Sequence, residues 1–147
     1  MSTAEELADA VVSFVRGFGL HRPEQTPCGF ETGVAEAHAL SELAHVSLRQ
    51  MELGARLGLA KSTVSRIVTN LVERGWAARE PASDDGRGVR LTLTHAGRDA
   101  ADRLSEARRQ RMEALLEQVP IDRRSEVVDV LRLLQKAADA SRPDGTG

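Results

Sequence analysis

The sequence predicts a mainly α-helical fold with one small β-hairpin (α+β), and three observations support this prediction. Two short helical patterns in residues 47–75 are separated by Gly58, which suits a tight turn between helices. In residues 89–94, apolar and polar side chains alternate with the period of a half-buried strand. Longer amphipathic patterns lie on both sides of this region. The order helix, turn, helix, hairpin is the outline of a winged helix-turn-helix.

The N-terminal part of the chain predicts two helices. Residues 4–18 place their apolar side chains on one face of a helix, and Gly17 and Gly19 end it. A loop with two prolines follows at 21–29, and a second helix is expected at about 31–45. The first helix and its loop form one predicted segment, residues 1–29, whose apolar face could cover its own chain or a second copy.

The next two helices form the predicted helix-turn-helix. Ser47 and Gln50 have the spacing of a capping box, which predicts a helix that begins at Ser47 and ends at Gly58. The second helix is expected at about 61–74, with its apolar residues facing inward. Its other side carries hydroxyl, amide and cationic side chains, the groups that bond base edges and phosphates. These candidate DNA contacts are Lys61, Ser62, Thr63, Ser65, Arg66, Thr69 and Asn70.

The hairpin is predicted from two short β-prone runs at 76–79 and 89–94. The loop between them is dense in turn-forming residues and carries Arg87 between two glycines. Residues 46–48 are a candidate third strand beside this hairpin. We therefore assign residues 30–98 to a winged helix-turn-helix lobe.

The C-terminal part predicts two further helices in a segment at residues 99–140, which could likewise pack on its own chain or on a second copy. One runs from Thr94 to about Gln118, where Pro120 prevents its continuation. Asp122 is expected to cap the last helix, which is unusually apolar and continues to about Ala140. Residues 141–147 are expected to be a disordered tail.

Charge is distributed unevenly along the chain, although the net charge is only −2. Residues 48–98 contain nine Lys or Arg against five Asp or Glu, a net +4, whereas residues 1–47 contain two against seven, a net −5. The positive excess therefore falls on the segment that would meet phosphates. The chain has no run of 18 apolar residues and no signal-peptide pattern, so we expect a soluble cytoplasmic protein that does not contact membranes.

These motifs, in this order and spacing, resemble the MarR (multiple antibiotic resistance regulator) family of transcription factors. The matching segments are Leu53-Gly54, Gly58-Leu59, the run from Ser62 to Gly75, Asp85-Gly86-Arg87, and the run from Arg90 to Arg98. Gly54 and Ala60 depart from residues common in such proteins, a small Ala and a capping Ser. The resemblance implies a homodimer in which residues 1–29 and 99–140 serve dimerisation. It also implies that this dimer binds a palindromic operator in double-stranded DNA, more often as a repressor.

The resemblance also implies roles for particular residues. Arg87 at the wing tip would reach the minor groove, and Asp85 would orient the wing. By residue type and position alone, Arg90 is a candidate phosphate contact or a partner in a wing salt bridge. Family members often bind a small, frequently aromatic, effector in a crevice beside the DNA-binding lobe. Here Phe30, His38 and His45 are the candidate residues for such a crevice.

Other functions stay open on the sequence alone. Cys28 is a candidate redox-sensing thiol, although it lies in a loop and the chain has no Tyr. The four histidines are scattered, so we expect no metal and no cofactor. There is no phosphate-binding glycine loop, paired-carboxylate motif or nucleophile elbow, which argues against an enzyme. A winged helix that binds only protein is the remaining alternative, and it predicts that function depends on neither Arg66 nor Arg87 and shows no steep salt dependence.

Overall fold

The structure, a computed structural model, describes residues 1–82 and 88–143. Within these ranges the chain forms six helices and a three-stranded antiparallel sheet. In chain order they are α1 (Thr3–Phe18), α2 (Val34–His45), β1 (Leu48–Arg49), α3 (Gln50–Leu57), α4 (Lys61–Glu73), β2 (Ala77–Pro81), β3 (Val89–Leu93), α5 (His95–Glu117) and α6 (Arg124–Ala140). The predicted fold class is confirmed.

The first strand explains why α3 begins later than the sequence predicts. Leu48 is buried and pairs with Leu91 of β3, which holds the chain extended through Arg49. Ser47 therefore does not cap α3, contrary to the capping-box prediction. The helix begins at Gln50, and the Glu52 carboxylate accepts a 2.9 Å hydrogen bond from the Arg49 N–H. The predicted third strand exists, but it is shifted toward the C-terminus.

The sheet has the strand order β1-β3-β2 and forms one wall of the core. Leu91 and Leu93 of the central strand point inward, as the alternating pattern predicts. They pack with α2, α3, α4 and the first turns of α5 in one apolar cluster. The largest fully buried members of this cluster are Leu40, Leu53, Leu71, Leu91, Leu104, Val64 and Val68.

A close backbone contact joins the start of α5 to the residue that precedes β2. A Cβ atom added at Gly97 would overlap the carbonyl oxygen of Trp76. The hydroxyl of Thr94 accepts a 3.0 Å hydrogen bond from the Gly97 N–H and so caps α5. Only glycine therefore allows α5 to leave the sheet at this distance.

Residues 1–109 and 110–147 form two compact units. In the second unit, Ile121–Arg123 form a short 3-10 turn before α6. Asp122 lies inside this turn, so the prediction that it caps α6 is wrong; Arg123 precedes the helix and provides no side-chain cap. Within the described residues, none of the helices combines the length and apolar character that a membrane span requires.

Candidate nucleic-acid interface

The second helix of the helix-turn-helix, α4, is fixed by its apolar face. Val64, Ile67, Val68 and Leu71 are each at most 2 % exposed. Their spacing places them on one side of the helix, against α2, α3 and β2. Because this face is fully buried, the opposite face is held at the surface in a defined orientation.

The exposed side of α4 carries short hydroxyls and two cations, and we call these residues the outer strip. They are Lys61, Ser62, Ser65, Arg66 and Thr69. The Thr69 hydroxyl donates a 3.0 Å hydrogen bond to the Ser65 carbonyl, which keeps that side chain close to the helix. Thr63 is half-buried and lies on the flank of the helix. Of the seven residues predicted to contact DNA, five thus share one solvent-facing surface.

The helix begins without a side-chain cap. Ala60 occupies the capping position, and its side chain offers no acceptor to the first turn of α4. The free N–H groups of the first turn carry the positive end of the helix dipole. The positive Lys61 side chain belongs to the same end of α4. A phosphate oxygen suits this end of the helix electrostatically.

Asn70 lies on a flank of α4 and is engaged within the protein. Its amide nitrogen donates a 2.9 Å hydrogen bond to the Glu36 carboxylate of α2. On the same flank, the Arg74 guanidinium lies 4.8 Å from the centre of the Trp76 ring and donates to the Glu31 carbonyl at 3.4 Å. The sequence pattern gave no sign of these contacts, since Glu36 is 34 residues from Asn70.

The wing is described up to Ala82 and again from Gly88. The predicted DNA contacts Asp85 and Arg87 lie outside the described residues. Arg90 is half-buried on β3, where its guanidinium donates a 3.1 Å hydrogen bond to the Ser47 carbonyl. Arg90 therefore joins the wing to the start of β1 in addition to any contact with DNA.

The three candidate effector residues lie in different environments. Phe30 is in the core, where its ring centre lies 6.0 Å from that of Trp76 and 5.6 Å from the Arg103 guanidinium. His45 is exposed at the end of α2. His38 borders a cleft of about 260 Å³ whose other lining residues are Leu20, Pro23, Val34, Ala35, Leu57 and Leu59. Of the described residues, neither Phe30 nor His45 lines this cleft.

The environment of His38 disfavours its charged form. Protein atoms packed around the imidazole, which retains an exposed side, lower its pKa from 6.5, and the positive charge of Arg108 lowers it further. The Glu42 carboxylate acts in the opposite direction and is itself paired with Arg56 at 3.2 Å. The neutral imidazole can both donate and accept a hydrogen bond at the edge of an otherwise apolar cleft.

Cys28 is half-buried, and its thiol lies 3.6 Å from the Thr26 hydroxyl. In the part of the chain that the structure describes, no three His, Cys, Asp or Glu side chains come together as a metal site requires. The geometry of the described residues therefore identifies α4 and its outer strip as the main candidate site.

Comparisons with known proteins agree with this architecture. A family profile described as "MarR family" matches residues 32–88, which include the helix-turn-helix. An uncharacterized HTH-type transcriptional regulator of Mycobacterium leprae is 28 % identical over 130 residues, which cover 88 % of this chain and 85 % of that protein.

Solved structures are similar over most of the chain. A MarR/EmrR family regulator from Acinetobacter sp. ADP1 superposes with a TM-score of 0.71 at 21 % identity, over 95 % of this chain and 99 % of that one. The PcaV regulator from Streptomyces coelicolor, solved with its natural ligand, gives a TM-score of 0.59 at 26 % identity, over 92 % and 90 %. The chain therefore has the winged-helix fold of MarR family transcriptional regulators, and its helix-turn-helix segment matches the profile of that family.

Proposed function

We propose that this protein is a transcriptional repressor that binds an inverted repeat as a homodimer and is released by a small-molecule effector. The observation that carries this proposal is the outer strip of α4. It presents hydroxyls, Lys61 and Arg66 to solvent on a helix whose opposite face is fully buried. A helix of about 10 Å diameter held in this way fits the major groove.

Arg66 is the residue of the strip best suited to distinguish bases. Its guanidinium can bind O6 and N7 of a guanine together, a geometry that Lys cannot reproduce. Lys61 and the uncapped start of α4 suit a phosphate beside the groove. At the wing, Arg87 would reach the adjacent minor groove and Asp85 would orient it.

Homodimerisation is supported by apolar faces that the single chain leaves uncovered. Neither α1 nor α6 contains a buried residue. On α1, Leu7, Val11 and Phe14 are 43–46 % exposed, and on α6 Leu131 and Leu133 are 52 % and 67 % exposed. Apolar surface on this scale is unfavourable in water, and a second copy would cover it. Two α4 helices about 34 Å apart would then bind the two halves of an inverted repeat.

Effector binding is assigned to the cleft beside His38. Its walls come from the α1–α2 loop, the first turn of α2, and Leu57 and Leu59 at the turn of the helix-turn-helix. PcaV, a structural relative, was solved with a natural ligand. A small aromatic compound with one polar group would match this apolar cleft and its single imidazole. It would release DNA by binding more tightly to an arrangement of α4 that does not fit the groove.

The DNA-binding test begins with selection of sequences from a random duplex pool by the purified protein. Fluorescence anisotropy then compares the enriched duplex with a random one at several salt concentrations. We expect Arg66→Ala to lose most of the preference for the enriched duplex, while Arg22→Ala, which removes a cation from the α1–α2 loop, binds like the wild type. A protein that enriches no sequence would contradict the proposed function and favour a protein partner.

The dimer is tested by light scattering coupled to gel filtration at micromolar concentration. The wild type should have twice the 15.9 kDa chain mass. Leu133→Asp should shift the mass toward the monomer, because a carboxylate would be buried in the interface. Met51→Asp changes another exposed apolar residue, 81 % exposed on α3, and should leave the dimer intact. A wild-type monomer would refute this assembly.

The effector site is tested on the protein–DNA complex with a panel of small aromatic carboxylates and phenols, beginning with benzoate. Ala35→Leu should fill the cleft and prevent release by any active compound without loss of DNA binding. Ala44→Leu enlarges an exposed residue of the same helix and should respond like the wild type. Equal release of the two variants would place the effector elsewhere.

A further inference from the structure

We propose that Asn70 supports DNA binding as a positioning residue that acts through Glu36 and does not contact the bases. This inference rests on the proposed entry of α4 into the major groove. By residue type alone Asn70 is a candidate adenine contact, since an amide can bind adenine N6 and N7. Its position in the structure points to a different role.

The amide of Asn70 is turned away from the outer strip. It is half-buried on the flank of α4 that faces α2, where its nitrogen donates to the Glu36 carboxylate at 2.9 Å. A hydrogen bond to an ionised acceptor is stronger than one between neutral groups, and it is directional. To bind a base, Asn70 would have to give up this partner and cross to another side of the helix.

The Asn70–Glu36 bond supplies a constraint that the apolar face of α4 does not. Packing of Val64, Ile67 and Val68 holds the helix against the core, but apolar contacts are non-directional and allow a small rotation about the helix axis. A hydrogen bond on one flank opposes that rotation. Base contacts depend on the direction of each side chain, so a small rotation of α4 would disturb the whole outer strip.

The segment that holds α4 is itself held by α5. The Glu31 carboxylate forms a 3.0 Å ion pair with Arg103, whose guanidinium also lies over the Phe30 ring. One turn after Asn70, Arg74 donates to the carbonyl of the same Glu31. Residues 30–36 thus connect α5 to the C-terminal half of α4, and the Asn70–Glu36 bond is the contact that joins this segment to the flank of α4 through a carboxylate.

The test measures affinity for the duplex enriched by the wild type with Glu36→Ala, Asn70→Ala and their combination. Each single change should weaken binding about fivefold, and the combination should lose no more than either one, because both remove the same bond. Glu36→Gln keeps an acceptor oxygen and should retain most of the affinity. The Asn70→Asp variant should bind DNA weakly, because its new carboxylate would lie beside that of Glu36. The addition of Glu36→Gln should restore part of the affinity, because the Gln amide can then donate to the Asp carboxylate.

A second selection with Asn70→Ala separates positioning from base contact. A positioning residue lowers affinity but leaves the enriched sequence unchanged, whereas a lost base contact relaxes one base pair. Relaxed preference at one position, with wild-type binding by Glu36→Ala, would overturn the inference. Wild-type affinity of both alanine variants would overturn it as well. A wild type that enriches no sequence would remove the proposed function and this inference together.

Discussion

The Thr94 hydroxyl donates a 2.5 Å hydrogen bond to the Gly75 carbonyl and thereby ties the end of β3 to the turn that follows α4. The same oxygen accepts a hydrogen bond from the Gly97 N–H, so one side chain contacts the end of β3, the turn after α4 and the start of α5. The backbone repeats this connection, since the Thr94 N–H donates to the Trp76 carbonyl at 3.0 Å. The wing and α4 are therefore oriented by one small group of atoms.

We expect Thr94→Val to lower the free energy of unfolding by about 1–2 kcal/mol, because it removes a helix cap and leaves the Gly75 carbonyl without this donor. Urea unfolding followed by circular dichroism measures the change. DNA affinity should fall further than stability alone explains, since α4 and the wing lose a shared anchor. A variant as stable as the wild type would show that water replaces the hydroxyl at no cost.

Thr92 lies next to this end of β3 and is the matched control. Its substitution should change the free energy of unfolding in the opposite direction. Its hydroxyl is buried and has no hydrogen-bond partner among the described residues. Thr92→Val keeps the shape of the side chain and removes the unsatisfied group, so we expect stabilisation by about 1 kcal/mol. Destabilisation in the same urea experiment would imply that the Thr92 hydroxyl has a partner, such as a bound water.

Gly97→Ala should be strongly destabilising, although alanine is normally the better helix former. The new methyl group would overlap the Trp76 carbonyl, and relief of this overlap requires α5 to move from the sheet at a cost of about 1–3 kcal/mol or more. Gly17→Ala is the control, because a Cβ there meets nothing within 4 Å, and it should stabilise α1 by up to about 1 kcal/mol. Equal melting temperatures of the two variants would contradict the close contact.

The lowered pKa of His38 predicts a pH-dependent stability. Below 6.5 the unfolded chain protonates this imidazole more readily than the folded protein does, so the unfolded state binds more protons. The free energy of unfolding should therefore fall as the pH decreases from 6.5 toward the lower pKa of the folded state, and then level off. His38→Gln should reduce this slope, whereas His21→Gln, in the exposed α1–α2 loop, should not. An unchanged slope in His38→Gln would assign the dependence to other groups.

Arg66→Lys tests base recognition separately from charge. The variant keeps one positive charge, so its affinity for random DNA and the salt dependence of that affinity should remain close to wild type. It loses the two-pronged contact to guanine, and discrimination at one base pair should fall by about 1–3 kcal/mol. Arg22→Lys is the control. A uniform loss on all duplexes would instead make Arg66 a phosphate contact.

Much of the fold could be predicted because local sequence and tertiary packing agree. Gly58 and Gly75 both adopt positive φ and follow helices where the sequence predicts helix ends. The 3.6-residue pattern of α4 buries the expected side chains. The period-2 pattern of β3 buries Leu91 and Leu93 as expected, but Val89 at the start of the strand is 48 % exposed. Helix starts were less predictable, because a distant strand decided one of them. Pairing of Leu48 with Leu91 overrode the capping spacing of Ser47, and no local pattern contains that pairing.

The candidate site also contains one part that local sequence predicts and another that depends on distant contacts. The exposed and buried sides of α4 follow from periodicity, so the outer strip was predictable. The partners of its flank were not, because Asn70–Glu36 and Arg74–Glu31 join residues that are 34 and 43 positions apart. Residue type alone also grouped Phe30 with His38, although one ring packs in the core and the other borders a cleft. Long-range geometry thus decides which polar residues remain available to a ligand.

The uncovered apolar faces of α1 and α6 have a consequence for how the regulator responds to its own abundance. If two copies must meet before both halves of an operator are bound, occupancy at low copy number rises with the square of the number of chains. Dilution by cell growth then lowers operator occupancy more steeply than it lowers the protein level. A gene under such control switches at a threshold of copies per cell, even when the effector concentration is constant.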